Sequence, residues 1–123
     1  MSIDITVLVR GSSGLEEVAQ AVQKLLSVSL TPVSSDDDPY CDCRTGVLDT
    51  WITVFRADLV DDQGLPLSRY EVAIGLDWTR TTLHAEESLA LRRLMAVFLA
   101  RSLVAAYQWD CLVLEGVQHS IPF

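Results

Sequence analysis

The sequence predicts an α+β fold: a two-layer sandwich in which two helices lie on one face of a largely antiparallel sheet. Three observations lead to it. Alternating, strand-like runs open and close the chain. Two further strand-like runs follow each other with no helix between them, which makes them antiparallel neighbours. Two stretches of helical periodicity flank this pair, giving the order β-α-(β)-β-β-α-β, with the second strand the weakest of the set. The 123 residues suit a single domain, residues 1–123, without internal repeats.

Each element has its own local reason. Ile3–Val9 (IDITVLV) alternates apolar and polar residues before turning fully apolar, the pattern of a strand. RGSSG is a loop, and Ser13 with Glu16 makes the S-x-x-E pattern of a capping box. Leu15, Val18, Ala19, Val22, Leu25 and Leu26 then recur at helical spacing, so Leu15–Ser27 reads as an amphipathic helix. VSLTPV is a short strand that Pro32 confines to a sheet edge. The segment SSDDDPYCDC has no periodicity and reads as a surface loop. Val47–Leu59, rich in β-branched and aromatic residues, is a strand. In RYEVAIGLDW one face carries Tyr70, Val72, Ile74, Leu76 and Trp78, and the other Arg69, Glu71, Ala73, Gly75 and Asp77. VDDQGLPLS joins these two strands and is too long to fix their register. A long helix runs from about His84 to Tyr107, with Glu86 and Glu87 in its first turn, where carboxylates suit the helix dipole. From Leu94 onward it is apolar almost all round: Leu94, Val97, Phe98 and Leu99 cannot all face one sheet. Burial on a second side is therefore expected, against the first helix or a second subunit. WDCLVLEGV is the last strand and QHSIPF a tail.

Composition narrows the function. Half the residues are hydrophobic, which excludes wholesale disorder. Seventeen acids against nine bases give a net charge of −8, which opposes binding to nucleic acid or to an anionic membrane and favours a basic partner. The longest apolar run, Leu94–Ala100, is too short to span a bilayer, and MSIDITVLVR carries no basic leader. Three cysteines, an odd number, fit a reducing compartment, so a cytoplasmic location is expected.

Chemical signatures are sparse. Cys41 and Cys43 are spaced Cys-x-Cys, unlike the usual zinc or redox Cys-x-x-Cys, and Cys111, His84 and His119 are the only further Cys or His ligands. Asp36–Asp38 are consecutive, whereas calcium loops alternate their acids and close on a Glu. GSSG opens a helix, yet lacks both a dinucleotide fingerprint and a Walker lysine. Glu71 and Asp77 share a strand face but stand about 20 Å apart, too far for joint acid–base work. No catalytic residue, metal or cofactor is expected. Asp36, Asp37, Asp38, Tyr40 and Asp42, with Asp61 and Asp62, are the candidate partner-binding residues: carboxylates to meet Arg or Lys, and an aromatic anchor beside them.

The acidic balance, SSDDDPY, VDDQG and the missing catalytic constellation give the whole chain a profile that resembles bacterial immunity proteins of polymorphic or contact-dependent toxin systems. The resemblance implies a protein that binds one cognate toxin and masks its active site, acidic side chains taking the place of phosphate in a basic cleft. Two other classes fit the same sequence: a small-molecule or regulatory module with a pocket between helix and sheet, and a structural subunit that dimerises through the long helix. The position of the acids separates them. Clustered on one surface, they favour toxin binding; scattered, they are ordinary surface charge.

Overall fold

The computed structural model describes residues 4–12, 14–34, 38–45, 48–62, 64–116 and 119–123. In chain order these form β1 (Ile5–Arg10), α1 (Leu15–Leu26), β2 (Thr31–Val33), β3 (Tyr40–Thr45), β4 (Thr50–Arg56), a 3-10 turn (Leu67–Arg69), β5 (Val72–Trp78), α2 (Ala85–Tyr107), β6 (Asp110–Glu115) and β7 (His119–Pro122). The strands make one seven-stranded sheet in the order β2-β3-β4-β5-β1-β6-β7. Every neighbouring pair is antiparallel. The expected α+β sandwich is the fold observed.

Register follows from burial. Val7 stands opposite Ile74 on one side and Val113 on the other, and Ile74 stands opposite Val54. This row of β-branched side chains lies on the helix-bearing face, and a slip of one residue would turn the whole row to the other side of the sheet. Val18, Ala19, Ala21 and Val22 of α1 close over it, as do Met95, Ala96, Leu99, Ala100 and Leu103 of α2. Both helices end in a left-handed residue, Ser27 and Gln108. Beyond Gln108 the chain turns back through Trp109, whose ring stacks on Tyr107 at 4.5 Å.

The opposite face carries a second, smaller core. Leu8, Ala73 and Leu112 are buried there, packed with Phe55, Ala57, Leu67, Tyr70 and Leu114. The residues between β4 and β5 cover them: instead of a tight hairpin turn, this connection folds back across the sheet. The alternation expected of the fifth strand is present from Val72 on, with Val72, Ile74 and Leu76 in the main core and Ala73 in the small one; Tyr70, expected on the Val72 face, precedes the strand and packs in the small core instead.

Four expectations are corrected. Residues 40–45 are not loop but strand β3, in which Cys41 and Cys43 face the main core. Period-2 alternation is present in YCDCRT, but Asp42 and Arg44 are poor strand formers and hide it. The strand read as Val47–Leu59 is shorter, Thr50–Arg56, because Asp49 takes a left-handed φ of 50° and Ala57 begins the connection. The C-terminal residues are not a tail: His119–Pro122 forms β7, an edge strand on which Pro122 is tolerated. Finally, the first helix does not supply the second cover expected for α2, since Leu94 and Phe98 are 69% and 48% exposed in the single chain. Ser13 lies outside the described residues, so the capping box read there is not described; α1 begins at Leu15.

This packing sets an order of sensitivity. Leu99, fully buried, should lose about 2–5 kcal/mol of stability on truncation to Ala. Val60→Ala, at a site 80% exposed, should stay within about 0.5 kcal/mol of the parent. Urea melts of the two variants measure both.

Candidate partner-binding surface

One heavily bonded polar group among the described residues, Asp49, was not singled out from the sequence. Asp49 sits in the turn before β4 and is 0% exposed. Its Oδ2 accepts from Trp78 Nε1 at 2.9 Å, Thr82 N at 3.2 Å and Leu83 N at 2.9 Å. Its Oδ1 accepts from Thr81 N at 3.0 Å and from the hydroxyls of Thr79 and Thr81. Its backbone carbonyl accepts from Thr79 N at 3.1 Å. Burial alone would raise the pKa of this carboxyl, but the Thr79 and Thr81 hydroxyls and the Leu83 and Thr81 amides more than offset that, holding it far below the usual carboxylate range. With six donors already placed, the carboxylate has no capacity for a ligand. It is a clasp that ties the β5–α2 connection to the start of β4.

Asp42, Arg44 and Tyr40 point away from the core on β3. Asp42 Oδ2 accepts from Trp51 Nε1 at 3.0 Å, and the Arg44 guanidinium lies 4.7 Å from the centre of the Trp51 ring. Asp42 thus orients an aromatic side chain on the face opposite the helices. Asp38 is exposed just before β3; its neighbour Pro39 shares a surface hollow with Glu16, Glu17 and Arg56. Asp36 and Asp37 lie outside the described residues.

Asp61 and Asp62 lie elsewhere, on the β4–β5 connection. With Asp58 they line a cleft of about 470 Å³ between this connection and the end of β6, whose other walls are Leu59, Val60, Leu65, Leu67, Leu114 and Gly116. The connection is braced from within. Asp61 Oδ1 accepts from Ser68 N at 2.9 Å and Ser68 Oγ at 2.6 Å. Those two bonds, aided by Arg69, lower the Asp61 pKa, although burial opposes them. Asp62 and Leu65 exchange backbone hydrogen bonds of 3.2 and 2.8 Å around a tight turn, in which Gly64 supplies a φ of +81°. The candidate residues therefore do not form one patch: Asp38 and Tyr40 lie at β3, while Asp61 and Asp62 lie over β6. What the fold does bring together is Asp58, Asp61 and Asp62, with no Lys or Arg among the described lining residues. Leu59 and Val60 stand exposed beside them. Asp58 was missed by the sequence reading, although its spacing from Asp61 and Asp62 was visible.

A second carboxylate grouping joins the end of β5 to the start of β1. Asp77 shares a side-chain hydrogen bond with Asp4, the residue before β1. Burial, the Asp4 charge and that bond raise the Asp77 pKa, against the pull of Arg92. Arg92 is buried on α2, where its Nε donates to Ser88 Oγ at 3.0 Å and its guanidinium to Leu76 O at 3.3 Å. The cysteines are thiols facing the core: burial raises Cys41 and Cys43, and pushes Cys111 up to about 12. Among the described residues no three His, Cys, Asp or Glu side chains come together as metal ligands. Among the described residues no helix is long and apolar enough to cross a membrane. Comparison with protein families, curated proteins and solved structures finds no match for this chain.

Two carboxylates should respond to pH in opposite senses. Because folding depresses the Asp49 pKa, its contribution is complete above the ordinary Asp value of about 3.9 and is lost as pH falls below it. Asp49→Asn should therefore lower the melting temperature at pH 7 more than Asp61→Asn does, since an amide NH₂ would face the Thr82, Leu83 and Trp78 donors. Because folding raises the Asp77 pKa, its ionisation opposes folding as pH rises through that raised value. Asp77→Asn should stabilise the protein at pH 7, with the gain shrinking toward pH 4; thermal melts from pH 7 down to about pH 2, below the ordinary Asp value, check both signs.

Proposed function

We propose that this chain is a non-catalytic binding protein of the cytoplasm that neutralises a cognate toxin by covering the toxin's basic active-site surface. The observation that carries the reading is the cleft beneath the β4–β5 connection, which Asp58, Asp61 and Asp62 line together with Leu59, Val60, Leu65, Leu67 and Leu114. The three carboxylates on one short connection give the cleft an acidic rim that a Lys or Arg entering it would meet. The aliphatic stem of such a residue would pack on the leucines while its charged head meets the carboxylates. Val60, projecting into solvent at the rim, offers apolar area that an interface would cover. The resemblance of the whole chain to immunity proteins agrees in kind, and so does the net charge of −8, which would draw a basic protein in from a distance.

The segment around Asp36, Asp37, Asp38 and Tyr40 enters as a second contact, with Asp42 acting through the orientation of Trp51. A specific observation also favours a different reading. The cleft volume of about 470 Å³ falls in the range of small-molecule sites. In that reading the occupant is a cationic ligand with an apolar body.

A partner captured from the native host tests the proposal. Asp58→Asn with Asp62→Asn removes two charges without touching the Asp61–Ser68 brace. This variant should associate with the toxin about tenfold more slowly at low salt and lose much of the salt dependence of the parent. Unchanged association and unchanged salt dependence would sink the toxin-binding role of this cleft.

A further inference from the structure

The outer surface of α2 carries a pattern that the monomer does not use. At 100° per residue, Glu87, Ala90, Leu94, Phe98, Arg101 and Ala105 form one stripe opposite the buried face of Ser88, Arg92, Met95, Ala96, Leu99 and Leu103. All six stripe residues are exposed. Leu94 and Phe98 are among the few large apolar side chains that the described chain leaves in water.

The stripe is complementary to itself when read backwards. Ala90 and Phe98 stand four residues either side of Leu94, and Glu87 and Arg101 stand seven either side. Seven residues along a helix span about 10.5 Å. If two α2 helices pack antiparallel about a two-fold axis through Leu94, each Phe98 ring lies over the Ala90 of the other chain. Each Arg101 then meets the other chain's Glu87. The small residue leaves room for the large one, and opposite charges meet at both ends. Among the described residues Arg101 has no ion pair, and one carboxylate oxygen of Glu87 accepts from the His84 amide at 2.9 Å, leaving the other available. A two-fold interface requires this self-complementarity of a single patch, and close helix packing requires small residues opposite large ones.

We infer that the protein forms an isologous homodimer through α2, antiparallel, with Leu94 on the axis, Phe98 against Ala90 and Arg101 paired with Glu87. This surface lies on the helix-bearing side of the sheet and the acidic cleft on the other. The dimer therefore leaves both clefts open and stands or falls independently of the toxin-binding reading.

Sedimentation equilibrium tests the inference. The full chain should sediment at twice its 13.6 kDa mass. Leu94→Asp, at an exposed site that the fold does not need, should sediment at the single-chain mass with an unchanged circular dichroism spectrum. The charge pair fixes the register. Arg101→Glu and Glu87→Arg should each be monomeric alone, because like charges then face each other twice per dimer. An equimolar mixture of the two should recover the dimer, because in the mixed dimer both ion pairs re-form, one as in the parent and one with its polarity reversed. Disulfide trapping gives an independent reading: Leu94→Cys should cross-link to itself, whereas Ala106→Cys, off the stripe, should not. A parent chain that stays monomeric, a dimer that survives Leu94→Asp, or a mixture that fails to associate would each overturn the inference.

Discussion

Placement of the long helix depends on one buried carboxylate. Asp49 comes at the end of the β3–β4 connection, in a left-handed conformation that turns its side chain inward. From there it gathers donors from Trp78, Thr79, Thr81, Thr82 and Leu83, that is, from the last residue of β5 and the link to α2. A buried, unpaired carboxylate would be strongly unfavourable. Here six hydroxyl, indole and amide donors meet the carboxylate and offset the cost of burying it. Asn would present hydrogens to amide hydrogens, and Glu would be a methylene too long for the same set. The clasp joins the top of the β4–β5 pair to the start of α2, and so sets where the helix begins its path across β5, β1 and β6.

Once α2 is fixed, the two sides of the sheet acquire different roles. Both helices cover one side, and the main core is complete there: Leu99 and Leu103 of α2 close over the Val7, Ile74 and Val113 row. Among the described residues the β4–β5 connection is what covers the other side. It shields Leu8, Ala73 and Leu112 but leaves a cleft between itself and Leu114. A tight hairpin turn would have left these apolar residues bare; a longer covering element would have closed the cleft. The internal brace of Asp61 on Ser68 and the turn at Gly64 hold the connection in the intermediate shape. Charge follows the same division. The cleft has aspartates on its wall, whereas the outer stripe of α2 carries acid at one end and base at the other.

Periodicity made much of this legible in the sequence. β1, α1, β5 and α2 were readable because their apolar residues recur at spacings of two or of three and four, and burial enforces those spacings. β3 was not, because Asp42 and Arg44 on its outer face are atypical of strands and Cys41 and Cys43 suggested ligand chemistry instead. β7 was hidden for a similar reason: four residues ending in Pro122 show too little alternation to register. The clasp could not have been read. Asp49 lies about thirty residues from its donors, and nothing in LDT distinguishes a buried carboxylate from a turn aspartate; TRTT gave a hint only in its supply of hydroxyls. For α2 the sequence correctly signalled apolar residues all round, but it could not show that the first helix lies too far to one side to cover Leu94 and Phe98. Of the candidate site, the charges were visible one by one. Their grouping was not, because it arises from a connection folding back over the sheet.

Amide hydrogen exchange tests the clasp most directly. The side chains of Thr81 and Thr82 are exposed, so an ordinary surface link there would exchange its amides nearly as fast as an unfolded peptide. If Asp49 holds the link as described, the Thr81, Thr82 and Leu83 amides should be protected at neutral pH to a degree approaching the β5 amides of Ile74 and Leu76. All three should lose that protection together in Asp49→Asn. Fast exchange of these amides in the parent protein, at the rate of an unstructured chain, would contradict the account.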